Sequence, residues 1–306
     1  MSNNYKHEVF GSINVPLAIL WAKPFHDKVY KEISNKAANN STAWADNLNI
    51  KERLWLVGKV DTTALYGERV AIFEHQGDWV KVAAISQPTK KNSLGYPGWI
   101  LADHVCCNPI YINEQLSLPE IVISVSQANL AKDVALTEVE NKLSYMTRLP
   151  LLTENEKYLQ VLLPNGETGY IHPCSTKKSS QLNFHSEKII KEAKHFLGLK
   201  YLWGGTSSAG FDCSGFMFRL YQSQGIIIPR DASEQAGSGL LVAKESLLPG
   251  DLLFFAHSDS SKIHHVGMYI GEGLMIHAPN SKSAIKIEIY ETGIYGEEFW
   301  GAKRYR

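Results

Sequence analysis

Gly210-Phe211-Asp212-Cys213-Ser214-Gly215 stands at the centre of the C-terminal part of this chain. The next residues, Phe216 to Tyr221, have apolar side chains at helical spacing, and the helix that they predict runs to the break at Gly225. Cys213 is therefore expected in the first turn of a helix, where backbone N–H groups stabilise a thiolate and lower the pKa of the cysteine. That position suits a nucleophile. The alternative is a buried, inert cysteine, which is what an isolated cysteine usually is.

Two β-rich runs further along the chain predict a hairpin. They are Ile263 to Ile270 and Leu274 to Ala278, separated by a short turn that contains glycine. In such a hairpin His265 lies opposite or diagonal to His277 on one face, whereas His264 has the other parity and points away. A histidine base needs a polar group that fixes its tautomer and orientation, and His277 is placed to do so. The hairpin and the helix-start cysteine together favour a Cys-His-His nucleophilic site.

Four motifs, in this order, resemble those of the NlpC-type cysteine peptidases, which are papain-like enzymes of bacterial cell-wall metabolism. They are Asp212-Cys213-Ser214-Gly215, Leu248-Pro249-Gly250-Asp251-Leu252-Leu253-Phe254-Phe255, His265-Val266-Gly267-Met268-Tyr269-Ile270-Gly271 and Ile276-His277-Ala278-Pro279. The resemblance implies that Cys213 is the nucleophile, His265 the base and His277 the orienting residue. It also implies that Tyr201 helps to stabilise the oxyanion. Asp251 and His257 are interpreted as turn and loop residues outside the site.

The composition describes a globular protein and argues against charged polymers as partners. The 306 residues suffice for two or three domains, with 44% hydrophobic and 20% charged residues. Lys+Arg and Asp+Glu are both 31, so the formal net charge is zero, and we expect no nucleic acid and no membrane among the partners.

Neither the cysteines nor the histidines have a metal-ligand spacing. The four cysteines, Cys106, Cys107, Cys174 and Cys213, contain no CxxC pair and no disulfide framework, so we expect no metal and no cofactor. The N-terminal segment lacks a basic leader, and its apolar run from Val15 to Ala22 contains proline and is predicted to be a buried strand. The expected location is the cytoplasm, or outside the cell if a leader has been removed.

The first half of the chain contains an internal repeat. Leu65 to Phe73 aligns with Ser144 to Leu152, and each copy predicts short alternating strands, polar turns and a final aromatic strand. This pattern resembles bacterial SH3-like domains. We therefore predict a multidomain chain of two small all-β SH3-like barrels followed by an α+β papain-like cysteine peptidase domain. The predicted domains are residues 1–112, with an insertion at 23–53, then 113–182 and 183–306, with boundaries near Asn113-Glu114-Gln115 and in the polar segment from Ser175 to Gln181.

Within the family the chain resembles the γ-D-glutamyl-L-diamino acid endopeptidases of murein recycling, in which a barrel recognises the free amino terminus of L-Ala. The local features are Leu65-Tyr66-Gly67-Glu68, Gly95-Tyr96-Pro97-Gly98-Trp99 and Pro229-Arg230-Asp231. The resemblance implies that Glu68 and Asp231 supply negative charge to the ammonium and that Tyr96 forms a hydrogen bond. Where this subgroup often has a hydroxyl residue after the aspartate, this chain has Ala232.

Asp212 and Ser214 flank the nucleophile and are expected to line substrate subsites. The expected partner is a murein-derived tripeptide or longer peptide, cut at the bond between γ-D-Glu and the diamino acid. Three alternatives share parts of the same evidence. They are a secreted hydrolase of intact peptidoglycan with the barrels as wall anchors, a non-catalytic binding module, and an amidase or acyltransferase on the same fold.

Overall fold

Two small β domains precede a mixed α+β domain in the computed structural model, which describes residues 9–257 and 262–306. The first domain is a seven-stranded antiparallel sheet with the strand order β3-β2-β6-β5-β4-β1-β7. Alternate residues of these strands form its apolar core, as the period-2 pattern requires. Its strands are β1 (Val9–Ile13), β2 (Leu17–Trp21), β3 (Val60–Leu65), β4 (Arg69–Gln76), β5 (Trp79–Ala84), β6 (Tyr96–Leu101) and β7 (Val105–Cys106).

The second domain repeats this topology strand for strand. Its order, β10-β9-β13-β12-β11-β8-β14, is the first order with every strand number raised by seven, so the internal repeat is confirmed. The match extends to the turns, because Gly67 and Met146, which align in the sequence, both have positive φ, 75° and 69°. Its strands are β8 (Glu120–Ile123), β9 (Gln127–Ala131), β10 (Val139–Ser144), β11 (Arg148–Glu154), β12 (Leu159–Leu162), β13 (Thr168–Ile171) and β14 (Thr176–Lys178).

Both segments at which the sequence predicts domain boundaries have regular structure. Residues 113–115 lie inside a helix, α4 (Pro109–Ser117), which begins at the cap Asn108 with proline at its first turn. The polar segment from Ser175 to Gln181 includes β14, which pairs with β8 and closes the second sheet. The β domains are therefore joined by a helix, and polar composition at an edge strand resembles that of a linker.

The insertion at 23–53 forms helices that pack on the first sheet. They are α1 (Lys28–Asn39), α2 (Ser41–Asn47) and α3 (Ile50–Trp55). Arg53 is buried and donates from Nη1 to the backbone carbonyl of Tyr201 at 2.6 Å. No feature of the sequence indicated a role for this insertion. Through Arg53 it supports the segment that precedes Cys213.

The third domain places a helix against a six-stranded antiparallel sheet with the order β17-β22-β18-β19-β20-β21. Helix α6 is buried on every side and packs against β19. The helices are α5 (Ser186–Lys194), α6 (Cys213–Gln222), α7 (Ala232–Ala236) and α8 (Gly293–Glu297). The strands are β15 (Thr206–Ser207), β16 (Gly210–Phe211), β17 (Leu240–Val242), β18 (Leu252–Ala256), β19 (Ile263–Gly271), β20 (Leu274–His277), β21 (Lys286–Ile289) and β22 (Phe299–Arg304).

The equivalent strands β3 and β10 of the two repeats both contact the turn that precedes the nucleophile. The backbone N–H of Thr206 donates to Thr63 Oγ1 at 2.9 Å, and that of Ser208 donates to Ser144 Oγ at the same distance. All four residues are buried. The three domains therefore share one interface. Among the described helices, none is long and apolar enough to cross a membrane.

Candidate active site

Cys213 is the first residue of α6, and its position is fixed by the residue before it. Asp212 caps the helix, because its Oδ1 accepts a hydrogen bond from the backbone N–H of Gly215 at 2.7 Å. The Arg230 guanidinium donates to both oxygens of the same carboxylate, at 3.1 and 2.7 Å, and to Ser214 Oγ at 2.9 Å. These bonds hold the start of the helix and the cysteine at its tip.

The contacts of Asp212 and Ser214 indicate support of the helix rather than the predicted role in substrate subsites. Both residues are buried, and Ser214 Oγ donates to Asp212 Oδ1 at 3.2 Å. Position 215 requires glycine, because a Cβ there would lie 2.2 Å from the carbonyl oxygen of Gly205. We therefore assign Asp212 and Ser214 to positioning Cys213.

His265 and His277 form a buried pair on the predicted hairpin. The distance between His265 Nε2 and His277 Nδ1 is 2.7 Å. Strands β19 and β20 pair antiparallel with Met268 opposite Ile276, so the two histidines are diagonal neighbours on one face, as the sequence predicts. Gly267 leaves room for the pair, because a Cβ there would lie 3.2 Å from the Cβ of His277.

A carboxylate that the sequence did not suggest sets the tautomers of this pair. Glu288 Oε1 on β21 lies 2.6 Å from His277 Nε2, although the approach is not aligned as a hydrogen bond. Because a carboxylate favours a proton on the nitrogen that faces it, His277 Nδ1 is left as an acceptor and His265 Nε2 becomes the donor. His265 Nδ1 then carries a free lone pair. That is the form of histidine that can take a proton from a thiol.

Backbone N–H groups and a tyrosine hydroxyl surround Cys213 at the start of α6. Backbone N–H groups of Ser214 and of Val266, the residue after His265, lie within hydrogen-bonding reach of Cys213 Sγ. The Tyr201 hydroxyl lies at the backbone N–H of Cys213, and this tyrosine is buried. The backbone N–H of Cys213 and the Tyr201 hydroxyl therefore lie together at the nucleophile residue, where an oxyanion would form.

A second polar cluster, on the wall contributed by the first β domain, holds an ammonium group. Tyr96 donates from its hydroxyl to both oxygens of Asp231 at 3.0 Å. Lys91 Nζ forms an ion pair with Asp231 at 2.9 Å, donates to the Tyr96 hydroxyl and lies 4.2 Å from the centre of the Tyr96 ring. Arg230 connects the cluster to Asp212, the cap of the nucleophile helix. We call Tyr96, Asp231 and the neighbouring Asp61 the carboxylate pocket.

Asp61 is the member of the carboxylate pocket that sequence reasoning missed. Burial raises the pKa of Asp61; Lys91 opposes this shift, and the charge of Asp231 adds to it. Two carboxylates whose charges interact in this way destabilise each other unless a cation lies between them. No motif marks Asp61, and only its position on β3 relative to the third domain gives it this surrounding.

Glu68, the carboxylate that the sequence suggested for this role, belongs to a different cluster. It is buried and pairs with Arg219 at 3.0 Å. Ser86, Gln87 Nε2 and the backbone N–H of Leu65 also donate to it. Burial alone would raise the pKa of Glu68, but Arg219 and these donors hold it below its ordinary value. With both oxygens occupied, Glu68 cannot take the predicted contact with an ammonium.

Comparisons with known proteins identify the family and the domains. A model of the NlpC/P60 family matches residues 198–304, and a model of the YKFC SH3b2 domain matches residues 123–176. A Bacillus cereus protein named gamma-D-glutamyl-L-lysine dipeptidyl-peptidase is 39% identical over 303 residues, which cover 96% of this chain and 90% of that protein. The chain belongs to the NlpC/P60 family.

Two further relatives cover nearly the whole chain. A Bacillus subtilis protein, also named gamma-D-glutamyl-L-lysine dipeptidyl-peptidase, is 35% identical over 94% of this chain and 96% of its own length. The crystal structure of an NlpC/P60 family protein from Bacillus cereus matches with a TM-score of 0.91 and 37% identity, over 97% of this chain and 99% of that one. The family, the SH3-like domains and the class of cysteine peptidase are thereby confirmed.

In this NlpC/P60 peptidase burial shifts the pKa of the thiol and that of the imidazole in opposite directions. Burial, followed by the nearby charge of Asp212, raises the pKa of Cys213 to about 12. Burial and the neighbouring histidines lower the pKa of His265 well below its ordinary value. The expectation that the helix start lowers the pKa of Cys213 is therefore wrong, because desolvation of the thiolate outweighs the helix terminus.

The buried histidines are expected to make this NlpC/P60 protein less stable at acid pH. Burial lowers the pKa of His277 from 6.5 to about 4, so between these values the unfolded chain binds a proton that the folded chain does not. Stability is therefore complete above pH 6.5 and falls as the pH drops toward 4. At about 1.4 kcal/mol per pKa unit, His277 alone accounts for a loss of about 3 kcal/mol.

Thermal unfolding at pH 7.5 and 4.5 measures this effect. We expect the difference in Tm between the two pH values to be smaller in His277→Gln than in the wild type. The exposed His26 supplies the control, because His26→Gln should leave the difference unchanged. An equal pH dependence in His277→Gln and wild type would contradict the assignment.

Tyr295 on α8 packs against the histidine pair, although no sequence motif marks this residue. Its ring centre lies 5.6 Å from that of His265 and 5.1 Å from that of His277. On the other face of β19, His264 is exposed and contacts Glu298, as its strand parity predicts. The ring of Tyr295 therefore shields the histidine pair on the face that α8 covers.

Proposed function

We propose that this protein cleaves the bond between γ-D-Glu and the L-diamino acid in murein peptides that carry a free N-terminal L-Ala. The observation that carries the proposal is the carboxylate pocket, which holds a primary ammonium, that of Lys91, in the free protein. The names of the Bacillus relatives, gamma-D-glutamyl-L-lysine dipeptidyl-peptidase, support the choice of bond.

The pocket has the chemistry of an amine-recognition site at the start of a peptide. Asp231 and Asp61 supply negative charge, and Tyr96 lies against both the ammonium and Asp231. Charge-assisted hydrogen bonds to an ammonium are lost when the nitrogen is acylated, and the two partly buried carboxylates then lose that partner. Peptides released from the wall with a free amine therefore fit better than peptides still joined to it. This favours peptide recycling over hydrolysis of the intact wall.

The residues of the site account for the two steps of acyl transfer. His265 Nδ1 takes the proton of Cys213 Sγ as the sulfur attacks the carbonyl carbon of the γ-D-Glu side chain. The backbone N–H of Cys213 and the Tyr201 hydroxyl stabilise the oxyanion, and His277 holds the protonated imidazole. His265 then donates its proton to the leaving amine of the diamino acid. Water, deprotonated by the same histidine, hydrolyses the thioester and restores the thiol.

Cleavage of L-Ala-γ-D-Glu-L-Lys and of its N-acetylated form tests the proposal, with the meso-diaminopimelate peptides as a second pair. We expect acetylation to lower kcat/KM by about 10³-fold or more, because a site built for a polar group rejects an analogue that lacks it. Asp61→Asn should reduce this discrimination by raising the KM of the free-amine peptide. Asp103→Asn, at an exposed aspartate, is the matched control.

Equal cleavage of the free and acetylated peptides would discard the amine pocket but keep the peptidase. It would then favour a hydrolase of the intact wall. If neither peptide were cleaved while the thiol remained reactive, an acyltransferase or amidase would be the better description.

A further inference from the structure

A group of three potential metal ligands lies on the face of β19 opposite the catalytic histidines. His257 Nδ1 is 3.3 Å from Glu298 Oε1, and His264 Nε2 is 3.0 Å from Glu298 Oε2. The ligand atoms of the three residues all lie within 4.8 Å of one another. In a tetrahedral zinc site with bonds of about 2.1 Å, ligand atoms are about 3.4 Å apart. Small movements of these side chains would therefore bring the three ligand atoms to the spacing of a zinc site.

Among the described residues, the carboxylate of Glu298 has no permanently charged cation as a partner. The Glu298 side chain is only 11% exposed. Among the residues that the structure describes, the ion-pair partners of Glu298 are these two histidines alone, and they carry charge only when protonated. A largely buried carboxylate is costly unless it is paired. A divalent cation would supply the missing positive charge and use the neutral form of both rings.

We propose that His257, His264 and Glu298 bind a late first-row divalent cation, with Zn²⁺ as the preferred ion. Two imidazoles and one carboxylate are the ligand set that suits zinc, copper or nickel rather than magnesium or calcium. The rings of His257 and His264 are stacked with centres 4.0 Å apart, and His257 is more than half exposed, so it is free to turn toward a bound ion. Water completes the coordination.

The proposed site would join three elements that surround the catalytic pair. His257 follows β18, and His264 immediately precedes the base, His265. Glu298 lies between α8, which carries Tyr295, and β22. The backbone N–H of Ala256 already donates to the carbonyl of Glu298 at 2.9 Å. A bound ion would therefore fix the rim of the active site without touching the substrate, which is a structural role.

Zinc binding to the full-length chain carrying Cys213→Ala tests the proposal, because this background removes the catalytic thiol as a ligand. We expect one Zn²⁺ per chain by calorimetry and a rise in Tm of about 5 °C at zinc well above Kd. Mg²⁺ should produce no rise. Co²⁺ should give a visible d–d spectrum without a thiolate charge-transfer band, which separates this site from one built by the remaining cysteines.

His264→Gln and His257→Gln in the same background are expected to abolish both the zinc stoichiometry and the rise in Tm. Both positions are exposed, so the metal-free Tm should stay within about 2 °C of the parent. Glu298→Gln gives the same loss through the carboxylate. Unchanged zinc binding in His264→Gln, or a thiolate band with Co²⁺, would overturn the proposal.

Discussion

Cys213→Ala is expected to lower kcat/KM for peptide cleavage by at least about 10⁴-fold, because the acyl-enzyme route disappears with the sulfur. The fold should survive. Alanine is a good helix former at the first position of α6, and the cap at Asp212 with its two bonds from Arg230 does not involve the thiol. Steady-state cleavage of L-Ala-γ-D-Glu-L-Lys gives the rate, and thermal unfolding shows that the variant is folded.

Cys174→Ala is the matched control, since Cys174 is an exposed free cysteine far from the chemistry in sequence. It should retain full activity. A folded Cys213→Ala variant that kept more than about 1% of the wild-type rate would contradict the role of the thiol, because removal of a true nucleophile leaves far less.

Glu68→Ala is expected to destabilise the protein by about 3–5 kcal/mol. Its carboxylate is 6% exposed and its partner Arg219 is 2% exposed, so the substitution leaves a buried guanidinium without a counter-charge. The pair also joins the first β domain to helix α6, so the loss should weaken the contact between the domains. Equilibrium unfolding in urea measures the free energy.

The double variant Glu68→Met/Arg219→Met separates the charge from the packing. It should be more stable than Glu68→Ala, because two apolar side chains leave no charge uncompensated. Glu154→Ala breaks an ion pair with Lys178 that is 47% and 40% exposed, and it should change stability by no more than about 0.5 kcal/mol. A loss as small as this control in Glu68→Ala would refute the structural role. A folded Glu68→Gln variant with a raised KM for free-amine peptides would restore the amine role instead.

The arrangement of Cys213 at a helix start and of His265 beside His277 could be predicted because it depends on local structure. A cap, a helix start and a hairpin are each encoded within a few residues, and strand parity alone separates His265 from His264. The repeat could be predicted for the same reason, since aligned turns imply aligned strands. Even so, the predicted sign of the Cys213 pKa shift was wrong, because burial of the thiol and then the charge of Asp212 raise this pKa more than the helix start lowers it.

The polar partners from distant segments could not be predicted. Asp61 lies on β3 and Glu68 in the turn that follows this strand, and only the docking of that barrel decides which carboxylate interacts with Asp231 and which pairs with Arg219. Glu288 likewise reaches His277 through the pairing of β20 with β21, for which the sequence gives no register. Long-range contacts of this kind depend on the whole fold.

The position of Lys91 makes the carboxylate pocket selective against small free amines. Its ammonium is attached to a loop fixed by Glu234, which accepts from the backbone N–H of Lys90 at 3.0 Å. A group tethered in this way has an effective concentration on the order of millimolar. A dilute amine that offers only its charge therefore loses the competition, because it gains no more from Asp231 than Lys91 does. A peptide wins when its remaining atoms add binding energy elsewhere in the cleft, so the lysine raises the threshold that an entering molecule must pass.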